Sequence, residues 1–305
     1  MTAVKVYEQI YMVDVEVAGQ KNFIASYVLK GEKTIMVETG PVSSVRNLIH
    51  SLEELDVKAD DVAYVAVSHI HLDHAGGVGP VLEHFPKAKV VVHERGAAHL
   101  ANPEKLWRQA QIVLGPIAEV YGKPEPIPLD RIVVAQDGMV LDAGGGVTLK
   151  VLETVGHAPH HLSFYEPSSN SIFTGDSAGI YLNEIDVVVP TTPPPFRLDM
   201  ALASLEKMAA LKPSTLYYTH FGRAENAMEK LQAYKGQLRL WASIARETLE
   251  KGESMEGMRR KILECDGAVQ KALEHARMQR VFGETALALS MLGILDYVKN
   301  YEVNL

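Results

Sequence analysis

Hydrophobic and polar positions change their rhythm once along this chain. From Val4 to about Phe221, short runs rich in β-branched residues either alternate with polar positions or stay apolar throughout. These are the patterns of half-buried and fully buried strands. They predict strands at Val4–Val17, Asn22–Leu29, Thr34–Glu38, Val62–Val67, Lys89–His93, Val147–Thr154, Leu162–Tyr165, Ser171–Thr174 and Thr215–Thr219. Ser44–Leu55 and Asp199–Leu211 instead space their apolar residues as helices do. After Arg223 the β-branched runs thin out, and Ala224–Lys251, Ser254–His275 and Ala276–Tyr297 predict helices, with a break at Gly252. The expected organisation is a catalytic domain over residues 1–223 and a helical extension over 224–305. The stretch Thr191-Thr192-Pro193-Pro194-Pro195-Phe196 predicts an extended loop, because three prolines suit neither a helix nor a strand interior. Its place shortly after Asp176 leaves two readings open, a plain connector or a wall of a substrate pocket.

One strand leads straight into chemistry. Val62–Gly77 reads VAYVAVSHIHLDHAGG, an apolar strand running into a turn that holds His69, His71, Asp73 and His74. Residues two apart on extended backbone project to the same side, so His69 and His71 can hold one metal ion together. Asp73 and His74 lie past the turn and can reach a second ion. Imidazole and carboxylate without thiolate suit zinc, and iron or manganese as well. Three further strand ends offer ligands of the same type: His157 after Val155-Gly156, Asp176 closing Phe173-Thr174-Gly175, and His220 after Tyr218-Thr219. His157 is a candidate for the first ion, Asp176 for a bridge and His220 for the second ion.

Composition narrows the setting. Lys and Arg number 30 against 38 Asp and Glu, a formal net charge of -8, which disfavours a nucleic-acid partner and favours a small-molecule substrate. The single cysteine, Cys265, rules out an intrachain disulfide and a thiolate-rich site, and reads as structural or inert. The opening MTAVKVYEQIYMVDVEV alternates like a strand, so no signal peptide is expected and the chain is expected to be cytoplasmic. The apolar run Ala286–Leu295 is too short for a bilayer, which needs about 20 residues. It predicts a buried helix, a cap over the pocket or a homodimer contact.

In order along the chain, HIHLDHAGG, GHAPHHLSF, FTGDS and THFG resemble the motifs of the metallo-β-lactamase superfamily over about residues 20–222. The resemblance implies an α/β fold (α+β in some schemes), an αββα four-layer sandwich with a C-terminal helical extension. It implies that His69, His71 and His157 hold one divalent ion, that Asp73, His74 and His220 hold another, and that Asp176 bridges them. His71 stands where the oxygen-reducing diiron branch carries a glutamate, which points away from that branch and toward the glyoxalase II and lactonase neighbourhood. The implied reaction is hydrolysis of an ester, lactone or thioester by a hydroxide held between two ions, zinc being the leading choice. Alternatives are a phosphodiesterase or phosphotriesterase with the same site, a metal-binding regulatory protein with little turnover, and a mononuclear iron oxygenase. Asp73 would orient the nucleophile, and Tyr181 is a candidate donor to the developing oxyanion. The second motif departs from the usual Gly-His-x-Pro-Gly-His: His160 replaces the glycine, while His161 matches the second histidine and is expected to support a ligand rather than bind. No basic set for glutathione is evident. His93 is expected to be a surface strand-end histidine rather than a residue facing the site, and Glu38 to be structural.

Overall fold

The computed structural model describes residues 3–276 and 283–302. Its strands are β1 Ala3–Tyr7, β2 Ile10–Asp14, β3 Ala25–Lys30, β4 Thr34–Val37, β5 Val62–Ala66, β6 Lys89–His93, β7 Ile132–Ala135, β8 Val140–Asp142, β9 Thr148–Glu153, β10 Leu162–Glu166, β11 Ser171–Gly175, β12 Ile180–Leu182, β13 Val187–Val189, β14 Thr215–Tyr218 and β15 Gly222–Glu225. Its helices are α1 Val45–Glu54, α2 Leu72–Ala75, α3 Val78–His84, α4 Glu94–Ala101, α5 Glu104–Leu114, α6 Pro116–Tyr121, α7 Leu198–Ala210, α8 Ala227–Lys251, α9 Met255–Cys265, α10 Gly267–Ala276 and α11 Glu284–Tyr297. Two compact units emerge. The first comprises residues 1–153, 160–175 and 215–223, the second 154–159, 176–214 and 224–305.

The first unit is built on two sheets. One runs in the order β1-β2-β3-β4-β5-β6-β7, and the other in the order β15-β14-β11-β10-β9-β8. A single core of buried side chains draws on both, with Tyr27, Leu29, Ile35 and Val91 from the first and Leu149, Val151, Phe164, Phe173 and Tyr217 from the second. The topology decides where chemistry can sit. β4, β5, β6 and β7 pair in parallel, as do β11 and β14. Parallel strands end their chains at a common edge, and the loops leaving their carboxyl ends are where open α/β sheets place ligands. Glu38 follows β4, Ser68 and His69 lie just past β5, His93 ends β6, and Thr219 and His220 follow β14. Asp176 is peptide-bonded to Gly175, the last residue of β11. At that edge Ser68 O accepts from Leu162 N at 2.7 Å, and Thr219 O accepts from Ala25 N at 2.8 Å. The Tyr27 hydroxyl donates to Tyr218 O at 2.6 Å, tying β3 to the end of β14.

Most expected elements are present, with instructive differences. The segment Val4–Val17 is a hairpin rather than one strand: β1 and β2 pair antiparallel about Glu8-Gln9, with a register shift between Lys5 and Tyr7. The alternation continues through the turn, so periodicity alone does not mark it. β7, β8, β12, β13 and β15 are short strands that the hydrophobic pattern does not announce, and α4 to α6 fill the β6–β7 crossover.

The second unit contains the β12–β13 hairpin and the helices α7 to α11. The expected helix Ser254–His275 is two helices, α9 and α10, because Asp266 leaves helical backbone and spends its carboxylate on neighbours. Asp266 is buried, and its Oδ1 accepts from Gln237 Nε2 at 3.2 Å and from the backbone N–H groups of Ala268 (3.1 Å) and Val269 (3.3 Å). Its Oδ2 accepts from Trp241 Nε1 at 2.9 Å, so one carboxylate starts α10 and pins α8. Asp266→Ala would orphan a buried indole N–H and the first donors of α10. We expect a loss of about 2–4 kcal/mol, read as a lower Tm with the histidine cluster unaffected. The start of the expected helix Ala276–Tyr297 reaches into residues 277–282, outside the described residues. The described part, α11, buries Leu287, Met291, Ile294 and Tyr297 within its own chain, which satisfies the apolar run Ala286–Leu295. Cys265 is exposed and free. Among the described residues no helix is long and apolar enough to cross a membrane.

Candidate metal centre

The edge residues of the first unit converge. The strand β5 ends at Ala66, and His69 and His71 follow on non-helical backbone before the short helix α2 begins at Leu72. His69 Nε2 lies 2.8 Å from His71 Nδ1, so the two ring nitrogens point at one place. Asp73 and His74 sit on α2, whose backbone is held by Thr39: its N–H and its hydroxyl both donate to His74 O at 3.0 Å. Asp73, His74 and His220 each offer a ligand atom, and these atoms lie within 4.8 Å of one another. Asp73 Oδ2 is 3.4 Å from His220 Nε2 and 3.9 Å from His74 Nε2.

Backbone carbonyls fix the tautomers of two histidines, His220 and His157. His220 Nδ1 lies 3.0 Å from Phe23 O. A carbonyl only accepts, so the Nδ1 proton is donated to it, and the neutral ring turns an unprotonated Nε2 toward the Asp73 carboxylate. Two acceptors facing each other repel unless a cation, either a metal ion or a second proton, lies between them. The other unit repeats the arrangement: His157 Nδ1 donates to Thr191 O at 2.9 Å, and His157 Nε2 faces Asp176 Oδ2 at 3.4 Å. Both pairs are buried or nearly so. Imidazoles whose far nitrogens are held by carbonyls, set against carboxylates, are the donor chemistry of a divalent metal site.

Two residues that carry no ligand atom in the sequence reading prove central to this geometry. Glu38, fully buried and at φ 67°, accepts from Ser68 N at 3.2 Å and Thr219 Oγ1 at 3.4 Å through Oε1, which also lies 3.5 Å from His74 Nδ1. A non-glycine residue at positive φ is held there by its surroundings, and such strain gathers at functional sites. Ser68 Oγ lies 2.9 Å from His69 Nδ1 and 3.3 Å from His74 Nδ1, touching a member of each expected ligand set. Through Oε1 Glu38 thus links the ends of β5 and β14 to His74. The signal for it, Glu38-Thr39-Gly40 at a strand end, is visible in the sequence, but its partners are not.

The remaining candidates take supporting places. His161 is fully buried and stacks 5.0 Å from the His69 ring, while the His160 ring lies 6.2 Å from that of His69 and 6.0 Å from that of His71. His93 caps α4: its Nδ1 accepts from Arg95 N at 3.0 Å, which puts its proton on Nε2, 3.2 Å from Glu153 Oε1. Tyr181, on β12, donates its hydroxyl to Asp186 Oδ1 at 2.8 Å, and Lys230 Nζ holds the same carboxylate oxygen at 2.6 Å. Burial first, and then the bond to Asp186, raises the Tyr181 phenol well above its ordinary range. It therefore stays protonated, and its proton is committed to Asp186.

Comparison with known proteins decides the family. The metallo-beta-lactamase superfamily model matches residues 20–220. The chain belongs to this superfamily. A metallo-beta-lactamase fold-containing protein of Sulfurisphaera tokodaii is 35% identical over 201 residues, 64% of this chain and 72% of that one. The crystal structure of an archaeal superfamily protein from Sulfolobus tokodaii matches with a TM-score of 0.71 at 26% identity, over 95% of this chain and 99% of that one. The αββα sandwich and its C-terminal helices are thus established. Among more distant relatives, a thioesterase of Emericella nidulans is 26% identical over 68% of this chain and 48% of its own length. An N-acyl homoserine lactonase of Agrobacterium fabrum is 32% identical over 40% of this chain and 43% of its own. This chain spans about half the length of each of those two. Superfamily membership and the histidine–aspartate cluster make the protein a metal-binding hydrolase.

Proposed function

We propose that the chain is a dinuclear metal hydrolase of ester-type bonds, acting on an ester, lactone or thioester carbonyl. In this reading His69, His71 and His157 hold one divalent ion, Asp73, His74 and His220 hold the other, and Asp176 joins the two. The observation that carries it is the repeated pair of a carbonyl-anchored imidazole facing a carboxylate, His220 with Asp73 and His157 with Asp176. Bound ions would supply a nucleophile at neutral pH by lowering the pKa of water from about 15.7 to about 7. Asp73 is set to orient the attacking water and take its proton, since its Oδ2 already lies among the ring nitrogens of His74 and His220. Phe23 O and Thr191 O keep two imidazoles in the ligating tautomer. Glu38 and Ser68 hold His74 and His69 in place from behind. Histidine and carboxylate donors without thiolate favour zinc, with iron or manganese also served by this set.

The carbonyl substrate class is supported by the lactonase and thioesterase among the relatives. The net charge of -8 weighs against polyanionic phosphate backbones. Elemental analysis of protein purified without added metal should give about two ions per chain. Turnover of a lactone and thioester panel should exceed that of bis(nitrophenyl) phosphate by at least about tenfold in kcat/KM. Faster phosphodiester cleavage would transfer the site to phosphorus chemistry. Two tightly bound ions with no turnover across the panel would make the protein a binding module instead.

A further inference from the structure

The second unit shows how the C-terminal helices bear on one of the proposed ligands. α11 grips the loop that follows β13. The Thr192 hydroxyl donates to Ser290 O at 2.7 Å, Thr192 N donates to Ser290 Oγ at 3.3 Å, and Ser290 Oγ donates to Pro190 O at 3.2 Å. Thr192 and Ser290 are both buried. One turn along α11, Gly293 meets the same loop so closely that a Cβ there would stand 1.8 Å from Thr192 O. Between the two gripped residues lies Thr191, and its carbonyl is the acceptor that holds His157 Nδ1 at 2.9 Å. Tyr234 of α8, fully buried, also reaches this loop: the backbone of Thr191 and the charge of Asp176 both act on its hydroxyl.

We propose that α11 is a positioning element for the metal ligand His157, acting from Ser290 through the peptide units of residues 190–192. This rests on the reading of His157 as a ligand. An imidazole anchored at one nitrogen presents the other in a direction fixed by the anchor, and loss of such outer partners typically weakens metal binding 10–100-fold. A carbonyl in a proline-rich loop is a poor anchor by itself. Ser290 bonds the residues on both sides of Thr191 and so removes the rotation of that peptide. The extension is thereby part of the metal centre's construction, whatever it does for substrate.

The test compares the full-length wild type with Ser290→Ala, with the near-isosteric Thr192→Val, and with Ile262→Val, a buried change on α9 away from this loop. Zinc titration by calorimetry should show one of the two ions bound about tenfold more weakly in Ser290→Ala and Thr192→Val, with the other unchanged. Histidine-ring 1H–15N spectra of the metal-free proteins should show His157 passing from the Nδ1–H form to a mixture of tautomers. Ile262→Val should lower Tm without either effect. Wild-type affinities and a wild-type His157 tautomer in both loop variants would overturn the inference and leave the two-ion reading standing. So would a weakening that Ile262→Val reproduces in proportion to its loss of Tm. A wild type that binds no ion would instead remove the reading beneath it.

Discussion

Asp73→Asn is expected to lower kcat/KM on any ester-type substrate the enzyme turns over by about a thousandfold, roughly 4 kcal/mol of transition-state stabilisation. It should also leave close to one ion per chain. Asp73 Oδ2 lies 3.4 Å from His220 Nε2 and 3.9 Å from His74 Nε2, so it would be the anionic member of the proposed ligand triad. The amide keeps the size and shape of the carboxylate but loses its charge, and it presents either a neutral oxygen or an N–H to the ion. The side chain is 21% exposed and fills no core position, so the metal-free variant should melt close to the metal-free wild type. That separates lost chemistry from lost fold. His50→Ala, on an exposed face of α1, is the matched control and should change neither ion content nor rate. Full activity with two ions in Asp73→Asn would show that the nucleophile is generated elsewhere.

The candidate cluster was legible because a metal-binding set of side chains writes itself into residue identity. A histidine or aspartate closing a β-branched run has few reasons to recur, and His69, His71, Asp73, His74, His157, Asp176 and His220 all close or follow such runs. The residues that hold these side chains were not legible, for a physical reason. Glu38 reaches Ser68 N across 30 positions and Thr219 Oγ1 across 181, so its role exists only once β4, β5 and β14 share an edge. Thr191 and Phe23 act through backbone carbonyls, which every residue has, and no side-chain pattern can announce them. The helical extension illustrates the same limit. Its helices were read from apolar spacing, but the break at Asp266 depends on the Trp241 indole and the Gln237 amide arriving from α8. The pattern of apolar residues marked Ala286–Leu295 as needing cover without saying what supplies it. The cover comes from within the chain.

Gly156→Ala should combine a large stability loss with weaker ion binding at the candidate metal centre. Gly156 adopts φ +142°, a conformation that L side chains rarely take. A Cβ there would stand 2.5 Å from both the N and the Cα of Ala201, in the first turn of α7. Neither partner can yield easily. Arg197 N donates to Gly156 O at 3.0 Å, Ala201 N donates to Arg197 O at 2.9 Å, and Ser204 Oγ donates to Val155 O at 2.7 Å, so helix and loop are laced together. Overpacking and backbone strain together should amount to roughly 2–5 kcal/mol, a drop in Tm of about 3–8 °C. Because His157 is the next residue, relief of the clash must move its backbone. Ion binding should therefore fall further than in a variant of equal Tm such as a core truncation on α9. Adding Ala201→Gly removes the Ala201 Cβ, which would lie 2.7 Å away, but leaves the two closer atoms, both backbone. The double variant should thus recover little of either loss. A full rescue by Ala201→Gly would show that side-chain crowding, not the approach of two backbones, dictates glycine before the ligand.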